Sequence, residues 1–227
     1  MKHLVKTHQI KNLFIASASL LFLSLGLSSC SKNNDEAQMG TSAVIAINAA
    51  SSASTGQDFY VNNVKMNSSA LAYSQNTGYV NVQNATNVQF KSAGTSTVNA
   101  TSNVNFAAGK KYSVYFTDDN AIVYQENDQT APSSGKARVR FVNLSQALSA
   151  KADVGLNAGA KFISDLAYKA VSAYNEVNAA TTFSLYSAGS TSVLLNLPVT
   201  IQAGKIYTIY FSGKTTATIN YQVVVEN

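Results

Sequence analysis

The sequence predicts an all-β protein, two tandem antiparallel β-sandwiches of immunoglobulin-like or transthyretin-like kind behind an export signal. Three observations predict it. The stretch Ala108-Gly109-Lys110-Lys111-Tyr112-Ser113-Val114-Tyr115-Phe116 returns 95 residues later as Ala203-Gly204-Lys205-Ile206-Tyr207-Thr208-Ile209-Tyr210-Phe211, so one turn and one strand are written twice. The apolar residues come in short runs of period two, separated by Gly, Asn and Ser turn residues, which is how half-buried strands read. No long stretch has helical spacing, although 165–171 reads as a turn or two. With 46% hydrophobic and only 12% charged residues, the composition is that of a secreted β-rich chain and excludes disorder.

Taken in order, Met1 to Asn12 carries Lys2, Lys6 and Lys11 without an acid, and Leu13 to Leu27 is an apolar run too short to span a bilayer as a helix. That pairing predicts export. Leu27-Ser28-Ser29-Cys30 resembles a bacterial lipobox, which implies cleavage before Cys30 and lipidation of its thiol and new amine; the alternative is an ordinary signal with a stray cysteine. Cys30 is the chain's single cysteine, so no internal disulfide can form. Ser31 in place of Asp implies sorting to the outer membrane. Asp35 and Glu36 are similar to the acidic tether that sends some lipoproteins to the cell surface. Removing Lys2, Lys6 and Lys11 takes the formal net charge from +5 to +2 and leaves no basic patch, which argues against a nucleic-acid partner.

The expected organisation is a lipoprotein signal peptide over 1–29, a lipidated Cys30 and tether over 30–40, one sandwich over 41–127, a polar linker over 128–135 and a second sandwich over 136–227. From Gly40/Gly135 the copies align without a gap through Asn48/Asn143, Asp58/Asp153, Leu71-Ala72-Tyr73/Leu166-Ala167-Tyr168 and Ser92-Ala93-Gly94/Ser187-Ala188-Gly189. About seven short strands are predicted in each. They begin at Ala43 to Asn48 and Arg138 to Asn143, and close with Ala121 to Tyr124 and Ala217 to Val225. Pro198 interrupts an alternating run from Val193 to Ile201 and predicts an edge strand there. Ala43-Val44-Ile45-Ala46-Ile47 is apolar on both faces, whereas the second copy alternates Arg138 and Arg140 with Val139 and Phe141. Ile45 and Ile47 are therefore expected to be covered, the second sandwich being the candidate cover.

The duplicated pattern resembles a bacterial cell-envelope family known as a domain of unknown function, DUF4397. Its Ala-Arg-Val-Arg-Val-Val-Asn opening is matched by Ala137-Arg138-Val139-Arg140-Phe141-Val142-Asn143, and its Asp-Val-Tyr-Val-Asn segment by Asp58-Phe59-Tyr60-Val61-Asn62 and Asp153-Val154-Gly155-Leu156-Asn157. Ala108 to Ser113 and Ala203 to Thr208 match its closing motif. The first copy lacks the two arginines. The resemblance implies the fold and an envelope setting, and it implies no activity or cofactor.

Both histidines, His3 and His8, fall in the export signal, so the mature chain cannot build a Ser-His-Asp or Cys-His constellation or a histidine metal site. No cofactor, metal site or catalytic residue is predicted. Asp58 and Asp153 are expected to accept backbone N–H groups beside turns. Asp118, Asp119, Glu126 and Asp128 lack the spacing of a calcium loop and read as a solvated hairpin. Tyr115 and Tyr210 lie out of phase with the core residues of their strands, which makes them the candidates for an exposed, glycan-stacking surface. The function these readings support is a non-enzymatic, membrane-anchored binding, adhesion or scaffold module of the outer membrane. The alternatives are an accessory glycan- or protein-binding subunit of an uptake or secretion complex, and, at more distance, a hydrolase using two carboxylates.

Overall fold

The computed structural model describes residues 40–156 and 159–227. The export signal, Cys30 and the tether up to residue 39 lie outside the described residues. In the first copy the strands are β1 (Thr41–Asn48), β2 (Gln57–Val61), β3 (Val64–Lys65), β4 (Asn76–Gln83), β5 (Asn87–Ser92), β6 (Val98–Asn103), β7 (Lys111–Phe116) and β8 (Ile122–Asn127). The second copy has β9 (Lys136–Asn143), β10 (Ala152–Leu156), β11 (Lys161–Leu166), β12 (Asn175–Asn178), β13 (Phe183–Ser187), β14 (Leu195–Leu197), β15 (Ile206–Ser212) and β16 (Asn220–Val225). Each copy is a pair of four-stranded sheets. The orders are β4-β1-β7-β8 against β3-β2-β5-β6, and β12-β9-β15-β16 against β11-β10-β13-β14.

The all-β expectation holds, with one correction: the sheets are not wholly antiparallel. The repeated strand β7 pairs in parallel with β1, and β15 with β9. Period two fixes which face a residue takes and carries no information on the direction of its neighbour. The 165–171 stretch is no helix; Asp165 and Lys169 take left-handed backbone angles, and Leu166 ends β11. The alternating run near Pro198 contributes only the edge strand β14. The last strand starts at Asn220, after a 3-10 turn over Thr216–Thr218.

Local chemistry explains the joints. Asn62 and Asn63, at φ 46° and 65°, form the two-residue turn between β2 and β3 that needs positive φ at both central positions. The repeated Ala-Gly-Lys turns place Gly109 and Gly204 at φ 73° and 80°, where a side chain would be strained although there is open space around them. Asp58 accepts the Gly94 N–H at 3.1 Å and Asp153 the Gly189 N–H at 3.0 Å, the role expected of both. Tyr112 accepts the Ala107 N–H and Tyr207 the Gln202 N–H, pinning each Ala-Gly-Lys turn to its own strand.

Each sandwich has its own core. Phe90 lies between Phe59 and Phe116, with ring centroids 5.2 and 5.3 Å away. In the second copy Phe141 is flanked by Phe183 and Phe211 at 5.1 and 6.0 Å. Strand β1 is buried on both faces: Val44 and Ala46 enter the first core, while Ile45 and Ile47 face a third apolar cluster.

Candidate functional site

That third cluster is the seam between the copies. Ile45 and Ile47, 5% and 1% exposed, are packed with Val142, Leu144, Tyr210 and Val224 of the second copy, as the apolar character of both faces of β1 led us to expect. Tyr115 and Tyr210 meet at its centre, edge to face with centroids 5.5 Å apart. The expectation that these tyrosines are exposed is therefore corrected: they are 0% and 1% exposed. They point away from the core of their own sandwich, but the outer face they occupy is covered by the other one.

A polar cluster runs beside the tyrosines. Asn127 on β8 donates to the Tyr79 hydroxyl at 2.7 Å and to Ser113 Oγ at 2.9 Å. Strand pairing makes Glu226 the counterpart of Asn127, because Lys111 faces Asn127 and Ile206 bonds the Glu226 N–H. Glu226 accordingly accepts from Tyr174 and Thr208, the counterparts of Tyr79 and Ser113. The two triads are joined by Arg140, whose counterpart in the first copy is Ile45. Arg140 is 1% exposed. Its guanidinium donates to Thr208 Oγ1, the Glu126 carbonyl, Asn127 Oδ1 and Glu226 Oε1. Arg138 donates to Asp128 and the Thr130 carbonyl, and both guanidiniums lie over the Tyr174 ring. The Arg-Val-Arg motif thus ties the start of the linker to the second copy. A buried ion pair is costly unless its hydrogen-bonding capacity is filled, and here nearly every position is.

Contacts cross the seam in both directions. Tyr73 bonds Ser212 of the second copy at 2.7 Å, and its counterpart Tyr168 donates to Asp119 of the first at 3.1 Å. Lys169 adds an ion pair to Asp119. The Leu-Ala-Tyr motif explains itself: the leucine enters its own core, Asn48 or Asn143 holds the leucine carbonyl, and the tyrosine reaches across.

Burial raises the hydroxyl pKa of Tyr79, Tyr115 and Tyr168 from 10.0 to about 12, and pushes Tyr174 and Tyr210 up as well. A phenol whose folded pKa is raised stabilises the fold fully below its unfolded value and loses that contribution as pH climbs through the folded one. Stability should therefore fall between pH about 10 and 12, with these tyrosines ionising only as the chain unfolds. A tyrosinate absorbance titration followed alongside circular dichroism checks this, the two transitions being expected to coincide.

The acids are spoken for. Burial would raise Asp58, but Lys65 and the Gly94 N–H outweigh it and hold the carboxyl below its usual value. Arg138 holds Asp128 well down. Glu126 pairs with Lys110, and Asp118 accepts from Ser51 and Ser52. Asp118, Asp119, Glu126 and Asp128 do not converge, and among the described residues no group of three or more metal-ligating side chains does.

Beyond the seam, the first copy has an open cleft of about 680 Å³ between the segment after β3 and strand β4, with Leu71, Met66 and Val80 among its lining and Ser68, Gln75 and Thr77 as polar members. Asn67 substitutes there for strand pairing, accepting the Phe59 N–H and donating to the Gln57 carbonyl. In the second copy the same span is strand β11, and Phe162, the counterpart of Asn67, packs near Phe141 and Phe183.

Residues 43–151 match the family model of DUF4397, a domain of unknown function. The resemblance to DUF4397 is therefore supported over those residues. The DUF4397 match takes in the strands of the first copy from Ala43 onward and β9 of the second. No curated protein matches the chain. Among solved structures, it is similar to CBMbc (family CBM26) from Eubacterium rectale Amy13K, crystallised in complex with maltoheptaose, at 9% identity and a TM-score of 0.28, with 82% of this chain and 97% of that one covered.

Proposed function

We propose that this protein is a non-enzymatic binding or scaffold module of the outer membrane, anchored by lipid on Cys30. The observation that carries the reading is the seam: an apolar cluster centred on Tyr115 and Tyr210, together with the Arg140 cluster, couples the two sandwiches into one body. Such a body suits holding two surfaces in fixed relation. The carboxylates near the hairpins and linker are committed to lysines, arginines and hydroxyls; Glu126 and Asp128 line one cleft, but each is held in an ion pair there, to Lys110 and to Arg138. Feeding cells an alkyne fatty acid should label the wild type in the membrane fraction, and Cys30→Ser should be unlabelled and released. Protease shaving of intact cells should remove the protein. Label retained on Cys30→Ser, or a soluble wild type, would refute the anchor.

The open cleft between the segment after β3 and strand β4, a segment that is strand β11 in the second copy, favours a second reading as an accessory glycan- or protein-binding subunit of an envelope complex. Cross-linking on intact cells, with and without a bulky residue at Ser69, distinguishes the two.

A further inference from the structure

Strand β4 is an edge of its sheet and forms one bank of the open cleft of about 680 Å³. Its free side follows from the ladders. The Ala43 N–H donates to the Lys110 carbonyl just before β7, so Ala43 and Ile45 turn their backbone groups to β7, and Ser42 and Val44 turn theirs to β4. Their partners on β4 are Val82 and Val80, whose N–H and C=O groups are thereby used. Tyr79, Asn81 and Gln83 direct theirs outward, where no described residue answers them, and Asn81 and Gln83 are exposed.

The second copy guards the same edge. At the offset of 95 the counterpart of Asn81 is Glu176, the one charge in β12, and β12 has 4 residues where β4 has 8. Strand β4, Asn-Thr-Gly-Tyr-Val-Asn-Val-Gln, has neither a charge nor a proline, two common devices that keep a foreign strand off an edge. The opposite bank differs too. Residues 161–166 are strand β11, whereas their counterparts from Met66 to Leu71, held to β2 through Met66, Asn67 and Leu71, form no strand. No lining residue of the cleft is charged, and Met66, Leu71 and Val80 supply its apolar wall. Val80 packs against the first core, so a strand laid on β4 turns every second side chain toward the cleft. Main-chain hydrogen bonds for affinity and a pocket for alternate side chains are the two parts of recognition by strand addition.

We infer that β4 and the cleft take up an extended, uncharged polypeptide segment with apolar residues at alternate positions, added antiparallel along the free edge of the sheet. This rests on the protein-binding form of the second reading above. The probe is the blocked peptide acetyl-Thr-Val-Thr-Val-Thr-amide, titrated at millimolar concentration into the isotope-labelled protein and followed by amide NMR. It should give saturable shifts confined to 66–71 and 76–83. The peptide N-methylated at its threonines, whose N–H groups face β4 in this arrangement, should give none, while N-methylation at the valines should leave binding intact. Glu in place of both valines should weaken binding by about tenfold or more. Asn81→Pro removes an outward N–H and spares the bonds of Val80 and Val82 to β1, so it should abolish the shifts in a folded protein. If that variant does not fold, the N-methylated peptides decide.

Silence from the parent peptide, equal binding by both N-methylated forms, or full binding by Asn81→Pro would overturn the site. Dimerisation of the protein alone through this edge, abolished by Asn81→Pro, would give the place to a second copy and overturn the peptide partner. If the peptide fails while cross-linking on cells still traps an envelope protein, the site is lost and the accessory reading stands. Edge shifts without any cross-linked envelope protein would refute that reading and leave the site standing.

Discussion

Arg140→Ala should destabilise the protein by about 3–5 kcal/mol, the usual effect of stranding one member of a buried ion pair. The substitution removes the donors to the Glu126 carbonyl, Asn127 and Thr208, and leaves the Glu226 carboxylate, 2% exposed, without its cation. The first copy shows how the site works without charge, since Ile45 occupies the place of Arg140 and Asn127 that of Glu226. Arg140→Ile combined with Glu226→Gln should therefore recover most of the loss. Urea unfolding of Arg140→Ile, Glu226→Gln and the two combined gives the coupling directly. Additive losses would show that the pair does not act as a unit.

Tyr210→Ala should cost about 3–5 kcal/mol, as for other fully buried aromatic rings, whereas Tyr210→Phe should cost nothing. The ring is edge-on to Tyr115 across the seam, but its hydroxyl is buried without a hydrogen-bond partner. Deleting an unanswered polar group is neutral or favourable, while deleting the ring leaves a void shared by both sandwiches. Because the void lies in the seam, Tyr210→Ala should also split unfolding into two transitions by calorimetry, with Tyr210→Phe keeping the wild-type profile. A Tyr210→Phe loss as large as that of Tyr210→Ala would mean that the hydroxyl is bonded after all.

Much of this architecture is legible in the chain. The offset of 95 carries over to structural counterparts for residues as small as Asp58 and Asp153, because a carboxylate beside a tight turn has one common use. Two apolar faces on β1 called for two covers, and both exist. Tyr115 and Tyr210 were harder. Alternation assigns them to an outer face, and only the neighbour's packing decides whether that face is wet. The parallel register puts Ile47 beside Tyr115, so knowledge of strand direction would have extended the burial of Ile47 to the tyrosine. The role of Glu226 was hidden by the longer β15–β16 connection, which breaks the offset and makes Asn127 and Glu226 partners that no ungapped alignment pairs.

The parallel pairing of β1 with β7 has a consequence for how the molecule is made. A chain emerging amino end first exposes β1 long before its partner arrives, and contacts of such long range form slowly. Meanwhile β15, nearly the same strand as β7, competes for the same vacancy in the other half. The asymmetry at Ile45 and Arg140 penalises the exchange: β1 strayed onto β15 would set Ile45 beside Thr208 and leave Glu226 facing a hydrocarbon. Two similar halves in one chain invite entanglement, and the difference between Ile45 and Arg140 opposes it.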